Sequence, residues 1–413
     1  MSLTGKSRQE GPFLNRGAAL LLLLFMLVVV FSTALITSLA AKNPEIQRKE
    51  KTLETLAQAK QALIAWSVAH GDVGTDSYPR PGTLPCPDRN LFGSADSGNA
   101  SGSCSTNGGT SIGRLPWRSL GMERLRDASG ETLWYAVSDN FRNPTLNKMP
   151  INSDSTGSLL LYAADASTLS TPAGEELAAI ILAPGLPLPG QDRDASPNNN
   201  ASGYLDAFSG KNNANAAGPF IMGPAKDANG NLVTNDLVIG VSARELLSAL
   251  EQRALNEAQS ALKGYMETYG HYPNPAPPDG DNCTSIVSDV KLEVSPCSAG
   301  DSAPAACFGR LPEDVLGPYV APWFLRNAWG RVMLYAINDS GAGCSTPIHV
   351  DGIVKNYVLI APGSARNGQN RPSTSLSDYL EDTNNPNNTG AWSPHSEFFT
   401  PDVRGNDQIR SFP

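Results

Sequence analysis

No stretch of this sequence concentrates lysine and arginine: charged residues make up only 17% of its 413 positions, and the formal net charge is -9. A nucleic-acid partner needs a Lys/Arg excess on one face to neutralise phosphates, so that class is set aside, together with attachment to anionic lipid by charge alone. Catalytic signatures are equally scarce. There is no GxSxG elbow, no cysteine with an evident histidine partner, and no carboxylate pair in a structured setting. The sequence also has no CxxC pair, and its four histidines (His70, His271, His349 and His395) lie far apart, which fits zinc ligation poorly. His70 and His271 each fall near a helix end, where the dipole favours a cation over acid-base work. The chain therefore reads as a non-enzyme.

What is present is a foldable core and many turns. The 40% hydrophobic content and the length accommodate two or three domains, while 38 glycines and 32 prolines favour short strands joined by loops over a long bundle. Six cysteines, Cys86, Cys104, Cys283, Cys297, Cys307 and Cys344, stand in Gly/Ser/Asn-rich surroundings, and their even number suits disulfides in an oxidising compartment. If each domain pairs its own cysteines, Cys86 joins Cys104 and the other four pair in one of three ways. Trp117, Trp134, Trp323 and Trp329 are candidates for a sugar-stacking platform, although aromatics flanked by Leu, Val and Tyr are more often core.

Residues 18–41 form an uncharged run of 24, AALLLLLFMLVVVFSTALITSLAA, which as a helix would reach about 36 Å. That is long enough to span a bilayer and exceeds the apolar region of a secretory signal, about 7–15 residues. Lys6, Arg8 and Arg16 precede it, which predicts a cytoplasmic N-terminus with the bulk of the chain on the other side, although Lys42, Arg48, Lys49 and Lys51 after it weaken the charge asymmetry.

Beyond that run the sequence repeats itself. AKQALIAWSVAHG (59–71) matches AQSALKGYMETYG (258–270), GRLPWRSLG (113–121) matches GRLPEDVLG (309–317), ASGETLWYAVSDN (128–140) matches AWGRVMLYAINDS (328–340), and AAIILAPGLPLPGQDR (178–193) matches NYVLIAPGSARNGQNR (356–371). The spacing of roughly 180–200 residues is far above solenoid periods, so these are duplicated units, expected over 42–240 and 241–413. Each begins with an apolar stripe at helical spacing: Leu56, Ala59, Leu63 and Trp66 in the first, and Leu247, Leu250, Ala254, Ala258, Ala261 and Tyr265 in the second. Ser242 and Glu245 have capping-box spacing at the start of the second helix. The segments TLWYAV, LLLYAA, LAAIILA, VMLYAI and NYVLIA read as short strands, and a sheet with one apolar face needs a helix to cover it.

The start of the chain, Asn15-Arg16-Gly17 followed at once by Ala18-Ala19-Leu20-Leu21, resembles the class III leader of type IV pilins and type II secretion pseudopilins. That resemblance implies cleavage between Gly17 and Ala18 by the prepilin peptidase. Ala18 stands where the family has an aromatic, and Leu22 where it has a glutamate, which is closer to minor, tip-located members. NAWGRVMLYAI (327–337) is similar to the D-P-W-G-x-x-Y-x-Y strand of major pseudopilins, and DASGETLWYAV (127–137) is its counterpart with Ser129 in place of Trp329.

The resemblance implies an α+β chain: residues 1–17 as leader, 18–41 as a single transmembrane helix, then two pilin-like domains, each a helix packed on a small antiparallel sheet. It implies a bacterial inner-membrane protein with its bulk in the periplasm or on a pilus. Its partners would be the inner membrane, other pilin or pseudopilin subunits and the prepilin peptidase. The expected role is a minor pilin or pseudopilin-like component acting by helix packing and protein contacts. The alternative is a stationary membrane-anchored adhesin or binding module. In major pseudopilins the loop after the last strand binds calcium. Here the matching loop offers Asp378, Glu381 and Asp382, with Asn367 and Asn370, as hard oxygen ligands, or simply as turn residues.

Overall fold

The computed structural model describes residues 26–32, 44–70, 80–102, 104, 111–142, 150–172, 175–193, 200–276, 307–366, 368–371, 373, 375–380, 397–398, 400 and 407–412. The chain divides into two compact units, Met1–Lys51 and Thr52–Pro413. In the first, residues 26–32 are helical, and helix α1 (Pro44–Ala69) begins there before running into the second.

Among the described residues no helix is long and apolar enough to cross a membrane, which corrects the expectation of a transmembrane helix over 18–41 and of a single-pass inner-membrane protein. Only 26–32 of that run lies within the described residues. The two long helices cannot serve instead: α1 and α2 (Ala243–Tyr269) carry charged residues along their lengths, and these are costly in hydrocarbon.

Two four-stranded antiparallel sheets carry the repeat. The first has the order β1 (Ser111–Arg114), β2 (Trp134–Val137), β4 (Leu177–Ala183), β10 (Leu237–Ser242). The second has β11 (Phe308–Arg310), β12 (Leu334–Ile337), β15 (Tyr357–Ala361), β17 (Gln408–Phe412). Registers correspond: Gly113 faces Tyr135 as Gly309 faces Tyr335, and Tyr135 faces Ile181 as Tyr335 faces Leu359. Outside each first strand another segment crosses close by, bridging Asp88 to Arg114 and Ala276 to Arg310. A Cβ would sit 2.7 Å from the Asp88 carbonyl oxygen at Gly113 and 2.2 Å from the Ala276 carbonyl oxygen at Gly309, which is why both strands end in a Gly-Arg dipeptide. Smaller pieces fill the rest. β3 (Leu161–Tyr162) pairs with β7 (Phe220–Ile221), β5 (Ala207–Phe208) with β6 (Lys211–Asn212), and β8 (Ala225–Lys226) with β9 (Leu232–Thr234). β13 (Ile348–Val350) lies between β14 (Ile353–Lys355) and β16 (Glu397–Phe398).

The fold is thus α+β with several small sheets, and the expectation of two pilin-like domains, each with its own helix on its own sheet, is corrected in two ways. First, α2 touches β4 and β10 of one sheet and β15 and β17 of the other. Its buried arc accordingly widens beyond the expected stripe to include Leu246, Glu251, Leu255 and Leu262. Second, both halves share one continuous apolar core, in which Leu56, Leu63, Tyr135 and Ile181 pack in the same cluster as Trp329, Tyr335, Leu359 and Ile360. Each fully buried leucine or isoleucine contributes about 1.5–3 kcal/mol, so neither half holds its stabilising surface alone.

The first sheet is also covered on both faces. Tyr135, Val137, Ile181 and Ala183 face the shared core, while Trp134, Ala136, Ile180 and Leu182 face a second cluster built with Leu161, Leu205 and Phe220. Strand β4, LAAIILA, is buried at all seven positions, as an apolar run without alternation requires when both faces are covered. α2 starts in the Ser242–Glu245 capping box that the sequence predicts and ends at Gly270 in the left-handed conformation. In α1 the buried stripe is Thr52, Leu56, Ala59, Leu63 and Ser67, and Trp66 turns partly out, its ring tilted against that of His70 with centroids 4.4 Å apart.

Candidate binding cleft

The fourth repeated block holds a pair of arginine clamps. In APGLPLPGQDR (183–193) the Arg193 guanidinium donates to the Gly185 carbonyl (2.9 Å), to Gln191 Oε1 (3.0 Å), to the Tyr204 carbonyl (3.3 Å) and to Glu131 (2.9 Å), with its plane 5.2 Å from the Tyr204 ring. In APGSARNGQNR (361–371) Arg371 donates to the Gly363 carbonyl (2.6 Å), Gln369 Oε1 (2.9 Å), the Tyr379 carbonyl (3.2 Å) and the Asp378 carbonyl, 4.8 Å from the Tyr379 ring. Gln191 and Gln369 accept in turn from Leu188 N and Arg366 N. One delocalised cation gathers several carbonyls in each half, a role that needs the planar fork of arginine.

Of the three carboxylates expected as calcium ligands, Asp378 is within the described residues and accepts from Asn370 N at 3.0 Å, while the neighbouring backbone oxygens point at Arg371. Glu381, Asp382 and Asn367 lie outside the described residues, as do Gly17, Ala18, Cys283, Cys297 and His395. Cys86 is bonded to Cys104 and Cys307 to Cys344. Trp134, Trp323 and Trp329 are core side chains, no more than 2% exposed. His70 does not act as a helix-end cation: burial and the nearby Arg253 charge lower its pKa, and Arg253 itself donates to the Val68 and His70 carbonyls at the end of α1.

The Arg193 clamp fixes Tyr204 and the 3-10 turn Ala201–Gly203, which forms one wall of a cleft of about 740 Å³. Ile112 and Trp134 from β1 and β2, the polar side chains of Asn200, Ser202 and Asn212, and Arg89 are among the residues that line it. Arg89 is held by the Cys86–Cys104 staple, because its guanidinium donates to the Cys104 carbonyl at 3.2 Å and its backbone N donates to Ser101 Oγ at 3.0 Å. The described lining offers amides, hydroxyls, the edge of one buried aromatic and one guanidinium. Such a surface can orient a polar or anionic ligand but supplies no acid or base.

No protein-family model, curated protein or solved structure matches this chain.

The carboxyl groups with raised pKa values are elsewhere, inside the fold. Asp236, fully buried, is pushed well up by burial and by the neighbouring Asp206, and burial raises Asp206 too. The pair ties loops together: Asp206 N and Asn213 Nδ2 donate to Asp236 Oδ2 (2.8 and 2.9 Å), and Asn235 N and Gln191 Nε2 donate to Asp206 (2.7 and 2.8 Å). A second set joins the two halves. Ser153 Oγ and Gln408 Nε2 donate to the Glu251 carboxylate (2.7 and 2.8 Å), Asn152 Nδ2 donates to the Asn327 carbonyl (2.9 Å), and Asn327 Nδ2 donates to the Pro81 carbonyl (2.9 Å). Asp154 approaches Arg371 at 3.7 Å. Burial pushes Asp154 up, and Glu251 up to about 7. Among the described residues no group of three His, Cys, Asp or Glu side chains is arranged to hold a metal ion.

Proposed function

We propose that this chain is a non-enzymatic structural component that works through protein contacts in an oxidising compartment, in an assembly of the type IV pilus or type II secretion class. The observation that carries the contact reading is where the acid-base chemistry sits. Asp206, Asp236 and Glu251 are interior groups, Asp154 is half-buried beside them, and all fasten loops or halves together, whereas the described lining of the cleft consists of neutral groups and Arg89. A catalyst needs the reverse arrangement, with its perturbed groups facing the substrate. The Cys86–Cys104 and Cys307–Cys344 disulfides support the compartment. The assembly class is supported by the Arg16-Gly17-Ala18-Ala19 start and by the AWGRVMLYAI strand.

N-terminal sequencing of the protein recovered from producing cells tests the assembly class: Ala18 as first residue is expected, and an intact Met1 refutes it. The cleft beside Arg89 favours a second reading, a module that holds a small polar or anionic ligand without entering an assembly.

A further inference from the structure

One edge of the first sheet is left unfinished, and the cleft lies against it. Leu115 N donates to the Leu133 carbonyl (2.9 Å), and bonded positions alternate along an antiparallel pair, so Arg114 and Ile112 turn their backbone N–H and C=O groups away from β2. Arg114 meets the segment outside it, exchanging bonds of 2.8 and 2.9 Å with Asp88. Ile112 does not. Asn90, the residue that would come opposite it, turns aside and donates its N–H to Asp88 Oδ1 at 2.9 Å. Among the described residues neither the N–H nor the C=O of Ile112 meets an outward partner, and Ile112 and Gly113 both line the cleft. An exposed strand edge of this kind is where an extended peptide adds itself to a sheet.

The groups beside this edge favour an anion. Arg89 is the charged side chain of the described lining, and a Cβ at Gly113 would sit 3.1 Å from its Cγ, so the guanidinium belongs to the same edge. Asn212 Oδ1 accepts from Ala214 N (2.9 Å), which leaves the donor end of that amide for a ligand. Asn213, fully buried, locks Asn212 and Ala214 in place by accepting from Ile221 N (2.8 Å) and donating to Asp236 Oδ2 (2.9 Å). With no carboxylate in the described lining, a carboxylate ligand finds donors there, whereas an ammonium group finds no charge to pair with.

The second copy of the repeat shows what the same place holds when it is filled. Phe308 faces Ala336 in register as Ile112 faces Ala136. Over Phe308 lies the ring of Phe398, fully buried, with centroids 5.9 Å apart, carried by the extended segment β16. In the first copy Ile112 is half-buried and a cleft of about 740 Å³ opens beside it, within the range of about 300–1,000 Å³ that ligand pockets occupy.

We infer that this cleft takes the carboxyl-terminal end of an extended peptide. The peptide backbone pairs with Ile112, its terminal carboxylate meets Arg89, and a large apolar side chain covers Ile112 as Phe398 covers Phe308. The inference deepens the reading of the chain as a ligand-holding module and rests on it; leader processing does not enter.

Titration of the isotopically labelled full chain, read at the Gly113 amide signal by nuclear magnetic resonance, tests it with three probes: the acetylated tetrapeptide Gly-Ser-Ala-Phe as free acid, the same peptide as its terminal amide, and glucuronate. The acid is expected to bind about tenfold more tightly than the amide, and R89Q should remove that difference. I112P deletes an N–H that makes no bond within the sheet, at an edge where proline is tolerated, and should weaken acid and amide alike by about tenfold. Near-UV circular dichroism shows whether I112P has kept its fold; if it has not, the acid-amide comparison in wild type and R89Q decides. Equal binding of acid and amide in wild type overturns the inference, as does a preference that survives R89Q or a folded I112P that binds both peptides normally. Response to glucuronate alone overturns it while leaving the ligand-module reading in place, and no response to any probe removes both.

Discussion

Replacing Glu251 by glutamine separates the cost of burying a charge from the benefit of the hydrogen bonds around it. Glu251 is 1% exposed on α2, where its carboxylate accepts from Ser153 and Gln408 and feels the Arg371 charge, yet burial outweighs all three and lifts its pKa from 4.5 to about 7. A carboxyl whose folded pKa is raised contributes stability that is fully present below its unfolded pKa and lost as pH rises through the folded value. The window here is about pH 4.5–7, and a shift of that size corresponds to about 3 kcal/mol at 1.36 kcal/mol per pH unit. Glu251→Gln removes this pH dependence. Its amide can accept from Ser153 Oγ, but Gln408 must then turn its own amide oxygen inward, at a cost of about 1 kcal/mol. The variant is therefore expected to be about 1 kcal/mol less stable than wild type near pH 4 and about 2 kcal/mol more stable near pH 8, so the two curves cross. Urea unfolding from about pH 4 to about pH 9 measures this, and two parallel stability-pH curves would refute the reasoning.

The remaining predictions concern the loops. Arg371→Lys keeps the charge but loses the fork that gathers the Gly363, Asp378 and Tyr379 carbonyls, and is expected to cost about 2–4 kcal/mol in thermal unfolding; Arg193→Lys should cost a similar amount through Gly185 and Tyr204. Removing the Cys86–Cys104 bond, which spans 18 residues, with Cys86→Ser and Cys104→Ser should cost about 3 kcal/mol in urea and raise hydrogen exchange across 88–101 while leaving β12 and β15 protected. Uniform loss of protection over both sheets would instead show that the staple supports the whole core.

Much of this architecture was legible in the sequence. Of the four matched blocks the first lies in α1 and α2 and the other three carry corresponding strands of the two sheets, and Ser242 and Glu245 announce the start of α2. What escaped was the partner of each surface. LAAIILA lacks the alternation of a one-sided strand, and that was the available sign that the first sheet is covered twice. The APG and GQ-R residues stand at identical spacing in both copies, yet a loop rich in Asn, Asp and Ser reads as a set of oxygen ligands, and only the folded chain reveals the internal guanidinium on which those oxygens converge. Contacts such as Ser153 with Glu251 or Asn152 with Asn327 join residues about 100 to 175 positions apart, and no local pattern records them.

A duplicated unit that shares its interior with its sibling has lost the freedom to be taken apart. Cutting the chain between β10 and α2 would strip the first sheet of the helix that touches β4 and β10 and leave the second copy with a greasy flank facing water. Insertions, fusions and truncations in descendants of this gene should therefore gather in the outer loops, and single-copy versions of the fold would need a different lid to survive.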